Sequence, residues 1–493
     1  MRPVLPISQR RLAALNVAHL NLSWIGPAVP RIIAILGVLV LAACGSQPDL
    51  APKGPATQQV QAAKPQSTQP TSTLQAAPQG RAGILAPNQL IPGLAPGATI
   101  TIGPGVAQRP SPDASGLVRV GLLVPLSGQS APIGQALLNA AQMALFDIGD
   151  ERFVLQAYDT KGTAEGAVAA CNTALGHGAQ LLLGPLFSAE VKAIAPQAAA
   201  AGVNVVAFST DPAIAGPHVF VMGFLVQEQV RQIVAYANAK GLKRFAVLAP
   251  DSPYGQSVVE ALKQTVPTHG GEMAQVAFYQ PDGKDLNEVV RNLASFDRRK
   301  EALELQKAEL AAKDDEISQL ALKRLERLET IGEVDFDTIL LPDQGTRLTQ
   351  AATLLPFFDI DPGRVQLLGT LLWNTPGLGR EPVMIGGVFP APPPDTTRQF
   401  FTRYREFYGQ APPTIATNGY DAVALAAVLS RTVAANSFSV EAITATTGFA
   451  GVDGIMRFRP DGLSERGFAV MQVTRDGTTM VQPAPTTFEG LQF

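Results

Sequence analysis

From residue 117 onward the sequence repeats one pattern: a short uninterrupted apolar run, a turn of small polar residues, then a longer stretch with helical spacing. LVRVGLLVPL (117–126) precedes IGQALLNAAQMALFDIG (133–149), and FVLQAYDT (153–160) precedes AEGAVAACNTALGHG (164–178). AQLLLGPL (179–186) precedes SAEVKAIAPQAAAAG (188–202), and VNVVAFST (203–210) closes the series. Strands that are apolar throughout, rather than alternating, have both faces covered, and strands separated by helices pair in parallel. This predicts an α/β fold with doubly wound, Rossmann-like layers.

A second series begins with QEQVRQIVAYANAKG (227–241). It runs through RFAVLAPD (244–251), YGQSVVEALKQTV (254–266), MAQVAFYQ (273–280) and DTILLPD (337–343). Two successive series joined by extended crossings predict two lobes around a cleft. VQLLGTLLW (365–373) to YDAVALAAVLSRTV (420–433) is expected to return to the first lobe, and the tail 451–477 to be β-rich. Lobe 1 is thus expected over 117–224 and 366–440, and lobe 2 over 225–365 and 441–493. One stretch breaks the rhythm: FDRRKEALELQKAELAAKDDEISQLALKRLERLET (296–330) is charged and has no Gly or Pro. Leu303, Leu310 and Ile317 are seven apart, on one helical stripe, so an inserted helix or helical hairpin is expected at about 297–333. It is either a partner-binding arm or a solvated extension of the lobe.

The N-terminal part is of another kind. Arg31 is followed by IIAILGVLVLAAC (32–44), too short to span a membrane as a mature helix. The run resembles the lipobox of bacterial lipoproteins, with residues 1–43 as signal peptide and Cys44 as the lipidated residue. The alternative is an ordinary secretory signal whose cysteine is incidental. Residues 44–116 are rich in Pro, Gln, Ala and Gly and read as a tether. A flexible coil of about 70 residues has a root-mean-square span of roughly 45 Å. No later run is long and apolar enough to span a membrane, so contact with one is expected through the anchor alone. Lys+Arg number 38 against 41 Asp+Glu, without a basic block, which argues against a nucleic-acid partner.

Motif chemistry narrows the function. Gly128 and Gly134 are six apart but Gln135 follows, so the turn at 127–135 is not a phosphate loop, and no strand leads into G-x-G-x-x-G. There is no G-x-S-x-G elbow. His177, His218 and His269 have no partner spacing, and no His/Cys/Asp/Glu cluster has metal spacing. Nothing singles out a pair of carboxylates. Cys171 reads as a small apolar residue on a buried helix face. The chain is therefore expected to be no enzyme and to need no cofactor or metal. What remains is binding by hydroxyls and helix N-termini, which suits a small polar or anionic solute. Ser127 and Ser130, Ser188, and Ser209 and Thr210 with Asp211 stand at strand ends that line the crevice of an open α/β sheet. Helix capping uses the same residue types.

VGLLVPLSGQSAPIGQ, LLLGPLFSAEVKAIAP, VVAFSTDP, LAPDSPYGQS and MRFRPDGLSERGFAVMQV together resemble type I periplasmic binding proteins of the leucine-binding superfamily. The similarity covers about 117–480. It implies two α/β lobes joined by three hinge crossings, with Ser188 and Thr210 holding a ligand carboxylate and Tyr254 reaching in from lobe 2. Two positions depart from the pattern. Pro342-Asp343 stands where receptors carry an aromatic, and Leu371 stands where they place an acid for the ligand ammonium, with Trp373 beyond. Asp343 and Trp373 join the candidate ligand contacts. A buried ammonium without a carboxylate is costly, which argues against an amino-acid ligand. The anchor, tether, GPLFSAEV turn and insertion are more similar to the penicillin-binding-protein activator lipoproteins. That resemblance implies a partner among the bifunctional peptidoglycan synthases, reached from the outer membrane on its periplasmic side. The alternative is a substrate-binding lipoprotein serving an ABC permease for branched-chain amino acids or a similar solute.

Overall fold

The computed structural model describes residues 116–432 and 437–489. The readings on the signal, Cys44 and the tether lie outside the described residues. The expected α/β architecture is present as two separate sheets. The first holds β1 (Val118–Val124), β2 (Phe153–Asp159), β3 (Leu181–Leu183), β4 (Asn204–Ala207) and β5 (Val219–Val221), all parallel in the order β2-β1-β3-β4-β5. Val120 to Val124 and all of β3 and β4 are buried, as the continuous apolar runs require. One face is covered by the helices Ala131–Ile148 and Ala416–Thr432, the other by Ala164–Gly176 and Ser188–Ala200.

The second sheet contains β6 (Arg244–Pro250), β7 (Glu272–Tyr279), β8 (Thr338–Leu340), β9 (Gln366–Leu368) and β10 (Val388–Ala391). A small antiparallel sheet follows, with β11 (Phe449–Gly451), β12 (Gly454–Phe458) and β13 (Ser464–Arg466). The chain then returns as β14 (Ala469–Thr474) and β15 (Gly477–Gln482), giving a seven-stranded order β15-β14-β10-β9-β8-β6-β7. The lobe boundaries therefore differ from the sequence reading. Residues 366–391 stay in the second sheet, because β9 pairs in parallel with β8 and β10 with antiparallel β14. The return to lobe 1 comes with the helices Pro394–Tyr408 and Ala416–Thr432. Residues 441–466 also belong mostly to lobe 1, since Ile443, Met456 and Phe458 are buried in its core. The chain thus passes between the sheets three times: after β5, after β10 and after β13.

The insertion is a helical hairpin, Phe296–Ala311 and Glu316–Leu325. Its turn breaks the seven-residue stripe. Leu303 is fully buried on the first helix, whereas Ile317 lies on the second and is 83% exposed. Asp315 caps that second helix by accepting from the Ser318 N–H at 2.8 Å. Arg299 roots the hairpin, donating from Nη2 to the Gly332 carbonyl at 2.8 Å.

Glycine is required where the first helix leaves β1. A Cβ on Gly134 would lie 1.8 Å from the Pro125 carbonyl oxygen, a backbone atom that cannot swing aside. At Gly176 a Cβ would meet nothing within 4 Å. Gly134→Ala is expected to lower unfolding free energy by about 2 kcal/mol through overpacking. Gly176→Ala should be neutral or raise stability by about 0.5 kcal/mol, and urea denaturation of the two variants checks the contrast.

Candidate functional site

In lobe 1 the turns after β1, β2 and β3 converge. A Cβ placed on Gly162 would touch the Phe187 ring at 3.5 Å and the Pro125 and Ser130 Cβ atoms at 3.8 Å. Ser127 is anchored within this wall: its hydroxyl donates to Asp159 Oδ2 at 2.6 Å and its N–H to Oδ1 at 3.2 Å. Burial alone would raise Asp159. The Ser127 hydroxyl and the N–H groups of Lys161, Leu126 and Ser127 outweigh it and hold the carboxyl below its usual range. Ser130 occupies the N-cap position of its helix without a side-chain capping bond. Ser188 is the first residue inside its helix; the cap position is Phe187, whose N–H is taken by Glu190 at 3.0 Å. Ser209 is buried and accepts from the Asp211 N–H, while Thr210 beside it is exposed. Asp211 caps the short turn Pro212–Ile214, accepting from Ala213.

Lobe 2 contributes the ends of β6 to β9. The Tyr254 hydroxyl donates to Thr370 Oγ1 at 2.9 Å, joining the turn after β6 to the end of β9. Burial raises the Tyr254 pKa; the Thr370 bond opposes this and the Asp343 charge adds to it. Asp343 is held on both oxygens, one by the Tyr279 hydroxyl and the other by the Gln344 N–H at 2.7 Å. The Tyr279 pKa is driven far up, first by burial and then by that bond. Leu371 donates its N–H to Gln229 Oε1 at 2.9 Å.

Trp373 is not a cleft residue. It is fully buried in the lobe 2 core, its indole N–H donating to the Leu341 carbonyl at 3.0 Å. A Cβ on Gly369 would fall 2.1 Å from the ring, so the ring fills the space that the glycine leaves. Among the remaining candidates, Tyr254 and Asp343 follow strands of the second sheet, and Ser127 and Ser130 follow β1 of the first. Two residues beside these candidates escaped the sequence reading. Phe187, 37% exposed, lay in the quoted GPLFSAEV turn. Thr370 ends its strand as Thr210 does.

The three described histidines have ordinary partners. His177 bonds the Tyr158 hydroxyl, His218 the Asn204 side chain and His269 the Thr265 carbonyl. Burial pushes the Cys171 thiol up to about 11, which leaves it a poor nucleophile. Among the described residues no three His, Cys, Asp or Glu side chains are grouped to hold a metal. The groups gathered at these strand ends are hydroxyl and N–H donors.

The sequence matches the family described as periplasmic binding protein over residues 117–478. It is 23% identical over 178 residues to an uncharacterized protein, RP748, of Rickettsia prowazekii, covering 36% of this chain and 47% of that one. It is 25% identical over 193 residues to the Leu/Ile/Val-binding protein BraC3 of Rhizobium johnstonii, covering 36% and 52%. The chain spans about half the length of the curated relatives it matches. A solved structure from Rhodospirillum rubrum, ascribed to a branched-chain amino acid ABC transporter, superposes with a TM-score of 0.59 at 17% identity. That match covers 74% of this chain and 100% of that one.

Because Trp373 is packed as core, Trp373→Ala is expected to cost about 3–5 kcal/mol of unfolding free energy. Guanidinium denaturation checks this; a ligand-contacting surface tryptophan would cost far less.

Proposed function

The chain belongs to the periplasmic binding protein family, and on that premise we propose that it is a non-catalytic solute-binding lipoprotein serving an ABC permease. It is held at the periplasmic face of the envelope through Cys44. Its solute is small and polar, with a carboxylate and without an α-ammonium. The observation that carries the ligand class is the state of Asp343. Both its oxygens already accept a hydrogen bond within lobe 2, from Tyr279 and from Gln344, which weakens its pull on an ammonium. A carboxylate suits Ser130, Thr210 and the helix N-termini of lobe 1, while the Tyr254–Thr370 pair serves the solute's other polar end. Supporting the transport role, the relatives and fold neighbours include proteins named for Leu/Ile/Val binding and for ABC transport.

A second reading is favoured by one observation, the helical hairpin. It leaves Leu305, Ile317, Leu320 and Leu328 exposed. In that reading the chain is a penicillin-binding-protein activator of the outer membrane, touching a bifunctional peptidoglycan synthase through the hairpin.

Thermal unfolding against a panel of small carboxylates, with leucine, isoleucine and valine included, separates the two. A carboxylate lacking an ammonium should stabilise the protein by about 2.7 kcal/mol at a hundred times its Kd, and Tyr254→Ala should remove the effect. No shift with any solute, together with hairpin-dependent capture of a bifunctional synthase, would reverse the order of the two readings.

A further inference from the structure

Gln229 is a buried, neutral side chain that joins two distant parts of the chain. It lies near the start of the helix Val226–Ala239, the first helix of lobe 2, and is 5% exposed. Its Nε2 donates to the Phe224 carbonyl at 3.4 Å, in the first passage between the sheets. Its Oε1 accepts the Leu371 N–H at 2.9 Å, from a residue 142 positions further on. Both ends of one amide are therefore engaged.

Each partner of Gln229 leads to something else. The Phe224 ring packs on Phe468 at 6.0 Å between centroids and faces the Arg466 guanidinium, 4.7 Å from the ring centre. Arg466 Nη2 donates in turn to the Met222 carbonyl at 2.6 Å, so the first and third crossings hold Phe224 in place. On the other side, Leu371 opens the short turn Leu371–Trp373, whose far end is fixed in the core by the Trp373 indole. Thr370 stands at the N-cap position of that turn without a side-chain capping bond. Its Oγ1 receives the Tyr254 hydroxyl instead.

The residue type follows from these two partners. One must be given a proton and the other must give one, which an amide does and an ionised carboxylate does not. The adjacent Glu228 is taken up by Arg231. An apolar side chain at position 229 would leave the Leu371 N–H and the Phe224 carbonyl without these bonds.

We propose that Gln229 is a positioning residue for solute binding. It sets the Thr370–Leu371 turn against the first crossing, and through Thr370 it sets the Tyr254 hydroxyl. The proposal rests on the reading that Tyr254 contacts the solute; Gln229 acts on it only through the turn.

Carbon-13 NMR of the full chain, labelled at tyrosine Cζ, tests the link with no solute present. Tyr254→Phe assigns the signal. In Gln229→Met, which keeps the length of the side chain and removes both hydrogen-bonding groups, the Tyr254 signal is expected to move. That of Tyr420, in the lobe 1 core, should stay. Gln229→Glu keeps an acceptor for Leu371 and should leave Tyr254 as in wild type. A Tyr254 signal unmoved in Gln229→Met overturns the proposal. Should that variant fail to fold, Leu371→Pro removes the same bond from its other end, at a first-turn position that tolerates proline. The same outcomes then decide. Calorimetric titration with 3,4-dihydroxybenzoate, a carboxylate without an ammonium, adds the functional arm. Gln229→Met should weaken binding roughly tenfold, but less than about twofold when Tyr254 is already Phe. Equal weakening in both backgrounds would mean a purely structural role and would also overturn the proposal. Failure of wild type to bind this probe counts against the solute reading, and the Tyr254 signal then decides the link alone.

Discussion

The guanidinium of Arg466 is the point on which the two halves of this protein depend. Each lobe has its own sheet and its own pair of apolar layers, so neither needs the other to bury its strands. What joins them is three short passages of chain, and two of these meet at Arg466, through Met222, Phe224 and Phe468. A buried charge of this kind contributes little net stability but is strongly destabilising when its partners are removed. It therefore fixes where the crossings meet rather than how firmly each lobe folds.

Much of this architecture was legible in the sequence because apolar continuity is a local property. The runs at 118–124, 181–183, 204–207 and 244–250 became buried parallel strands. Membership of a sheet is not local. Nothing in VQLLGTLLW says that its first residues pair with β8, nor that Trp373 turns inward onto Gly369. The heptad stripe of the insertion failed for a related reason. Asp315 starts a new helix between Leu310 and Ile317, and a capping residue within a charged stretch is easily passed over.

The candidate site was half legible. Hydroxyl residues at strand ends can be found from the sequence, but their partners cannot. Ser127 is bound by Asp159, 32 residues away, and Tyr254 by Thr370, 116 residues away. Asp343 was singled out as a candidate for an ammonium, yet the Tyr279 hydroxyl that occupies it belongs to a different strand. The contact between the crossings left no trace at all. Arg466 stands in an unremarkable stretch and meets Met222 and Phe224 only through assembly.

The account centres on a solute held between hydroxyl-rich walls without an acid for an ammonium. Native mass spectrometry of the full chain, purified undenatured from its own host, addresses this most directly. The account predicts one small carboxylate, free of an α-ammonium, bound per chain and released on unfolding. A bound branched-chain amino acid would contradict it. So would an empty chain that co-purifies with a peptidoglycan synthase.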